Sequence, residues 1–146
     1  MKLLNFELET PYFGIALVGL DFLWDLHNVF TFLSVNLDAT SNVAVMTWTA
    51  SGHTPITYSG CRLVFSGLKL LVISARDGDL PLSEDLCVSS ISKVLPEPSL
   101  EPELRMKAQW GSNEAFHLLF QFQSGRSIEI DADAVELDGR ISPGAR

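Results

Sequence analysis

Three histidines, two cysteines and a run of five carboxylates are the residues of this 146-residue chain with the most reactive chemistry to offer. His27, His53 and His117 lie on separate segments, and no H-x-x-x-H or C-x-x-C element joins them. No metal or cofactor is therefore assigned. His117 sits between Phe116 and Leu118, so strand alternation turns it away from the apolar face and toward solvent. His53 follows Gly52 in a Thr/Ser/Gly/Pro-rich connection near Tyr58, where a loop imidazole could serve as a base. His53, Tyr58 and Trp48 form one alternative ligand site. Cys87 and His27 would make a nucleophile and base only if two separated positions touched, so they are read as packing positions. Cys61 and Cys87 are read as reduced thiols, and no catalytic residue is assigned.

The carboxylates carry the larger signal. Glu129, Asp131, Asp133, Glu136 and Asp138 fall within ten residues that hold no Lys or Arg. Alternation sets Glu129, Asp131 and Asp133 opposite Ile128, Ile130 and Ala132, so the three are expected to face water together, a row that repels itself unless a cationic partner matches it. Residues 77 to 103 hold seven acidic residues against Lys93 alone. Asp77-Gly78-Asp79 begins like a calcium loop, but the next regular ligand is missing and Pro81 interrupts it, so a solvated turn is the reading. Asp131, Asp133, Glu136, Asp79 and Glu84 are accordingly the candidate partner-binding residues. With Lys+Arg 10 against Asp+Glu 18 the net charge is −8. That charge disfavours nucleic acid and anionic membranes and favours capture of a basic protein.

These side chains need elements to hold them. A 47% hydrophobic, 19% charged composition belongs to a chain that folds. From Val29 to Asp38 and from Val43 to Ala50 the sequence alternates with the period of a strand. Leu104, Met106, Ala108 and Trp110 alternate with Arg105, Lys107 and Gln109 in the same way. Apolar runs flank Ser66-Gly67 and Ser124-Gly125, which predicts two hairpins. The Pro-rich stretch Leu95 to Glu103 reads as an extended loop, and the tail from Asp138 as frayed. Tyr12 to Leu20 reads as a buried strand, followed by a helical turn or two from Leu20 to Leu26.

The two Ser-Gly pairs lie 58 residues apart in similar contexts, which suggests a duplication of residues 25 to 77 in residues 85 to 137, with Trp48 and Trp110 at corresponding strand ends. The expected fold is all-β: one domain, a single antiparallel sandwich or barrel of about 8–10 strands. It would comprise N-terminal strands (1–24), two repeat-like units in pseudo-twofold relation and a short tail (138–146). Glu7 and Glu9 stand where a leader peptide would be apolar, and no apolar run is long enough to span a bilayer, so a cytoplasmic protein is expected.

The runs Arg62 to Ile73 and Phe120 to Ile130 resemble the strand-Gly-strand repeats of small uncharacterised bacterial all-β domains, some of them immunity proteins of polymorphic toxin systems. The resemblance implies a non-enzymatic inhibitor whose acidic surface blocks a basic partner. Two other readings stand beside it: a small-ligand-binding or enzymatic β-barrel using His53, Tyr58 or Trp48, and a homodimeric accessory subunit joined through an exposed strand edge.

Overall fold

The computed structural model describes residues 1–52, 57–96 and 115–141. His53, the Leu104–Trp110 run, the Pro-rich stretch from Glu97 onward and residues 142–146 lie outside them. The described residues form ten strands: β1 (Lys2–Leu3), β2 (Phe6–Leu8), β3 (Ala16–Gly19), β4 (Phe22–Asp25), β5 (Phe30–Asp38), β6 (Val43–Ala50), β7 (Tyr58–Ile73), β8 (Val88–Val94), β9 (His117–Phe122) and β10 (Ser127–Ile141). A short 3₁₀ helix, Leu82–Leu86, precedes β8. The fold is all-β, as the alternation predicts.

The main sheet runs β5-β6-β7-β10-β9-β8, antiparallel throughout, and curls into a half-barrel. Its long central pair is β7 with β10, in register from Ile128↔Ile73 to Ile141↔Tyr58. β10 is long enough to need two neighbours on its other edge. Residues Ser127–Ile130 pair with β9, and β1 lies parallel to Ala134 and Val135. The Asn5 side chain then acts as one more strand residue, donating from Nδ2 to the Leu137 carbonyl and accepting the Leu137 N–H, both at 2.8 Å. Buried backbone groups must find partners, and this side-chain amide supplies them where β1 ends.

Alternation fills the concave face with Ala44, Met46 and Trp48 from β6, Cys61, Leu63 and Phe65 from β7, and Leu118, Phe120 and Phe122 from β9. A second sheet, β2-β3-β4, closes over it and contributes Phe6, Leu17 and Trp24. Trp24 lies 4.5 Å from the ring of Tyr58 and 5.5 Å from that of Phe30, and its indole N–H donates to the Gly19 carbonyl at 2.9 Å. The sheets thus share one aromatic core, with the buried indole N–H satisfied.

Two sequence expectations change here. Residues around Ser66-Gly67 make no hairpin; β7 continues through them. From Gly60 to Ser66 it is paired on both sides, and beyond Gly67 it outruns β6 and pairs with β10 alone. Gly67 has φ +66°, and the adjoining register shift leaves one extra residue on β7, which is a bulge. Ser124-Gly125 is a true turn, with the Gly125 N–H donating to the Phe122 carbonyl and the Phe122 N–H to the Arg126 carbonyl. The offset of 58 therefore aligns a bulge with a turn, and the two Ser-Gly pairs are not equivalent. Trp48 closes on the core in β6, whereas Trp110 lies outside the described residues. A positive-φ glycine serves either structure, which is why local sequence could not separate them.

The segment Leu20 to Leu26 is likewise no helix. β3 and β4 form a hairpin whose two-residue turn, Leu20-Asp21, has both residues at φ +55°. That is the geometry of a type I′ turn, usually made by Asn-Gly, and here cross-strand pairing imposes it on a leucine at a local cost. Replacing Leu20-Asp21 by Asn-Gly is expected to raise stability by about 1 kcal/mol, read from the urea unfolding midpoint.

Candidate functional site

The carboxylates of β10 project away from the concave core, Glu129, Asp131 and Asp133 by simple alternation and Glu136 and Asp138 because the alternation changes phase between the buried Ala132 and Val135, but most have partners on neighbouring strands. Arg62 on β7, directly opposite Asp138, donates to it from Nε at 3.1 Å and from a terminal nitrogen. Lys69 lies 3.1 Å from Asp133. His117 on β9 stands between two carboxylates, with Nδ1 2.7 Å from Glu129 Oε2 and Nε2 3.5 Å from Asp131 Oδ2. The expectation of a self-repelling row facing water is thus corrected. Glu129 is 8% exposed and His117 7%, and only Asp133, Glu136 and Asp138 are open to solvent. His117 does turn away from the concave core, but the convex face is itself covered there, beside a small cluster of Val94, Leu119 and Tyr12.

This arrangement is a buried hydrogen-bonded cluster. A metal site would need several ligands converging on one point. Here the two carboxylates approach opposite nitrogens of one imidazole, so they cannot share an ion with it. No group of three or more His, Cys, Asp or Glu among the described residues is arranged to hold a metal. Removing a buried side chain takes both its packing and its hydrogen bonds from its neighbours. His117→Ala is therefore expected to cost about 3 kcal/mol of stability, whereas exposed Asp133→Asn should change it by about 0.5 kcal/mol or less. Urea denaturation of the two variants tests the contrast.

The Cys87–His27 contact, improbable from sequence, exists: Sγ lies 3.3 Å from Nδ1. Its chemistry is nonetheless quiet. Nδ1 is also 2.7 Å from the Val88 carbonyl oxygen, which can only accept, so Nδ1 carries the proton. A nitrogen that is already a donor cannot take the thiol proton. Burial, and then the charges of Glu84 and Asp25, push the Cys87 thiol above its ordinary pKa. Burial, with Asp138 adding to it, pushes Cys61 up to about 12. At pH 7 Cys87 is expected to alkylate more slowly with iodoacetamide than free cysteine does, its rate climbing as the pH is raised past 9; mass spectrometry of timed samples reads this.

Of the alternative ligand site, His53 lies outside the described residues. Trp48 is a core residue, 1% exposed, with its ring 5.2 Å from Phe32 and 5.9 Å from Phe120. Tyr58 belongs to the other aromatic group, with Trp24 and Phe22. A groove of about 280 Å³ is bordered by Trp48, Leu33, Thr49, Arg62 and Arg140, but Tyr58 does not line it. No family model, curated protein or solved structure matches the chain.

The feature that sequence did not rank is the outward edge of β5. β6 pairs with one side of this nine-residue strand. On the other side, none of its backbone groups bonds to any described residue. β8, at the opposite end of the sheet, is treated differently: Gly14 exchanges both backbone bonds with Ile91, and the Lys93 N–H donates to the Pro11 carbonyl. On β5, Leu33 and Leu37 are each 55% exposed, and Leu33 is the extra residue of a bulge. The 3₁₀ helix that carries Glu84 abuts β5, and Asp77 and Asp79 lie in the loop before it. Phe30–Asp38 contains neither Lys nor Pro, and that absence was the available sequence signal.

Proposed function

We propose that this chain is a protein-binding domain that receives an extended segment of a basic partner along β5. The carrying observation is the unpaired outer edge of that strand. A long edge bearing exposed leucines and no guarding Lys or Pro is a template for strand addition, in which main-chain bonds supply affinity and alternate side chains supply selectivity. Charge selects the occupant. Asp38 ends the strand, Glu84 lies on the helix beside it, and Asp77 and Asp79 are exposed nearby. Of the acidic residues expected to bind a partner, Asp79 and Glu84 keep this role. Asp131 and Asp133 are engaged by His117 and Lys69, and Glu136 stands on the convex face of β10. An immunity-type inhibitor of a cationic toxin, as the strand-Gly-strand resemblance implies, is one form that such a protein takes.

The probe is a nine-residue peptide alternating Val with Lys, compared with the same peptide carrying Glu for Lys. The Val/Lys peptide is expected to shift amide resonances along β5 and to bind at least tenfold more weakly at 0.5 M than at 0.05 M salt, because screening removes the charge term. Leu33→Lys with Leu37→Lys, both at exposed positions, should abolish the binding and leave folding intact. Asp79→Asn with Glu84→Gln should slow association several-fold with little effect on dissociation, while Asp133→Asn with Glu136→Gln should do neither. Equal binding of the Glu peptide, or shifts centred on β10, overturns the proposal. So does a wild-type dimer in sedimentation that the two lysines dissociate, since β5 would then serve a second copy of the chain.

A further inference from the structure

Residues Phe32 to Val35 of β5 line a cleft of about 250 Å³, closed on its far side by Ile73, Leu86 and Ile128. Phe32 stands opposite Trp48 and Val35 opposite Met46, and both of these partners are core residues. Residues directly opposite in a sheet share a face, so Phe32 and Val35 turn to the concave side. A segment added along the outer edge of β5 obeys the same rule. Its residues opposite Phe32 and Val35 turn to the concave side as well, into the cleft, while their chain neighbours turn outward. Cleft and strand edge are thus two parts of one site.

The far wall is already fixed. Arg76 pins the 3₁₀ helix that supplies Leu86: its Nε stands 3.0 Å from both Asp85 carboxylate oxygens, and a terminal nitrogen donates to the carbonyls of Leu80 at 2.6 Å and Pro81 at 2.9 Å. Asp85 and Arg126 are the charged residues of the lining. The Ser124 hydroxyl, and then Arg76 and Arg126, hold the Asp85 carboxyl below its ordinary pKa. These charges are matched among themselves, so the apolar walls select what enters. A cavity of about 150 Å³ already admits a benzene ring, so size favours an aromatic side chain over valine or alanine. Phe32 adds a reason of geometry. Its ring lies 5.2 Å from that of Trp48 and 4.9 Å from that of Phe122, and an incoming ring extends this aromatic group.

We propose that the cleft takes an aromatic side chain from the segment bound along β5, so that the partner carries one inward-facing aromatic residue among its basic ones. The inference rests on strand capture at β5. The test compares the nine-residue Val/Lys peptide with versions carrying Ala or Phe at the central Val, and with one carrying Phe at an adjacent Lys. Binding is followed through the methyl and amide resonances of the protein. Central Phe is expected to bind at least tenfold more tightly than central Ala, because an aromatic anchor filling a pocket dominates such contacts. Phe at the adjacent Lys faces outward and should bind no more tightly than the unsubstituted peptide. Central Phe should also impose ring-current shifts on the methyls of Val35, Ile73 and Leu86. Leu86→Trp, at a position 41% exposed, fills the cleft and should remove the preference for Phe while keeping the affinity for the Ala peptide. The ring-current readout uses the wild-type protein and holds even if Leu86→Trp fails to fold. Equal affinities for the Phe and Ala peptides overturn this inference, as does the absence of ring-current shifts at Ile73 and Leu86, or a Phe preference that survives in folded Leu86→Trp. Amide shifts along β5 in those same experiments would leave strand capture standing, whereas their absence with every peptide overturns both.

Discussion

β7 and β10 are paired over almost all of their sixteen and fifteen residues, and the other strands of the main sheet take their register directly or indirectly from this pair. A one-residue slip between them would turn either Leu63 and Phe65 of β7 or Ile128 and Ile130 of β10 out of the core. The pair also forces the solutions around it. β10 is too long for β9 to cover, so β1 and the Asn5 amide complete its edge. β7 outruns β6, and at that point Gly67 and the adjoining bulge bend the strand. Curvature of this kind makes a half-barrel with a concave face that a second small sheet, anchored by Trp24, has to close.

The same register determines which charges are free. Arg62 faces Asp138 because Leu63 faces Leu137 in the core, and His117 lies beside Asp131 because Leu118 faces Ile130. A run of carboxylates along one strand is therefore interleaved with cations from strands distant in sequence. The exposed pairs add little to stability, whereas His117 and Glu129 are buried together and joined by a hydrogen bond. Among the described residues, Asp77, Asp79 and Glu84 lie around the 3₁₀ helix and the loop before it, beside the open strand.

The half-barrel also has ends. At the β8 end the segment Pro11 to Gly14 supplies backbone partners, and at the β5 end no described residue does so. The curl brings β5 toward the 3₁₀ helix without closing the ladder, so edge and cleft arise together from one incomplete closure. The strand edge left open at that seam presents backbone groups that no described residue pairs.

The alternation of apolar and polar residues, which needs only a period of two, was enough to read an all-β chain, the strands β5 and β6 and the hairpin at Ser124-Gly125. It also assigned Glu129, Asp131, Asp133 and His117 to the face away from the core. What it could not carry was anything decided by a neighbour. A positive-φ glycine at position 67 fits a turn or a bulge equally well, and only the strands on either side of β7 choose the bulge. Leu20-Asp21 shows no local preference for a type I′ turn, and only the pairing of β3 with β4 imposes one. His117 looked solvated because sequence gives direction without depth, and Cys87 was set beside His27 by contacts sixty residues apart. The free edge of β5 is a property of where the sheet stops. Sequence encodes the period of each strand locally, whereas partner, burial and edge are relations between strands, and these exist only once the chain has folded.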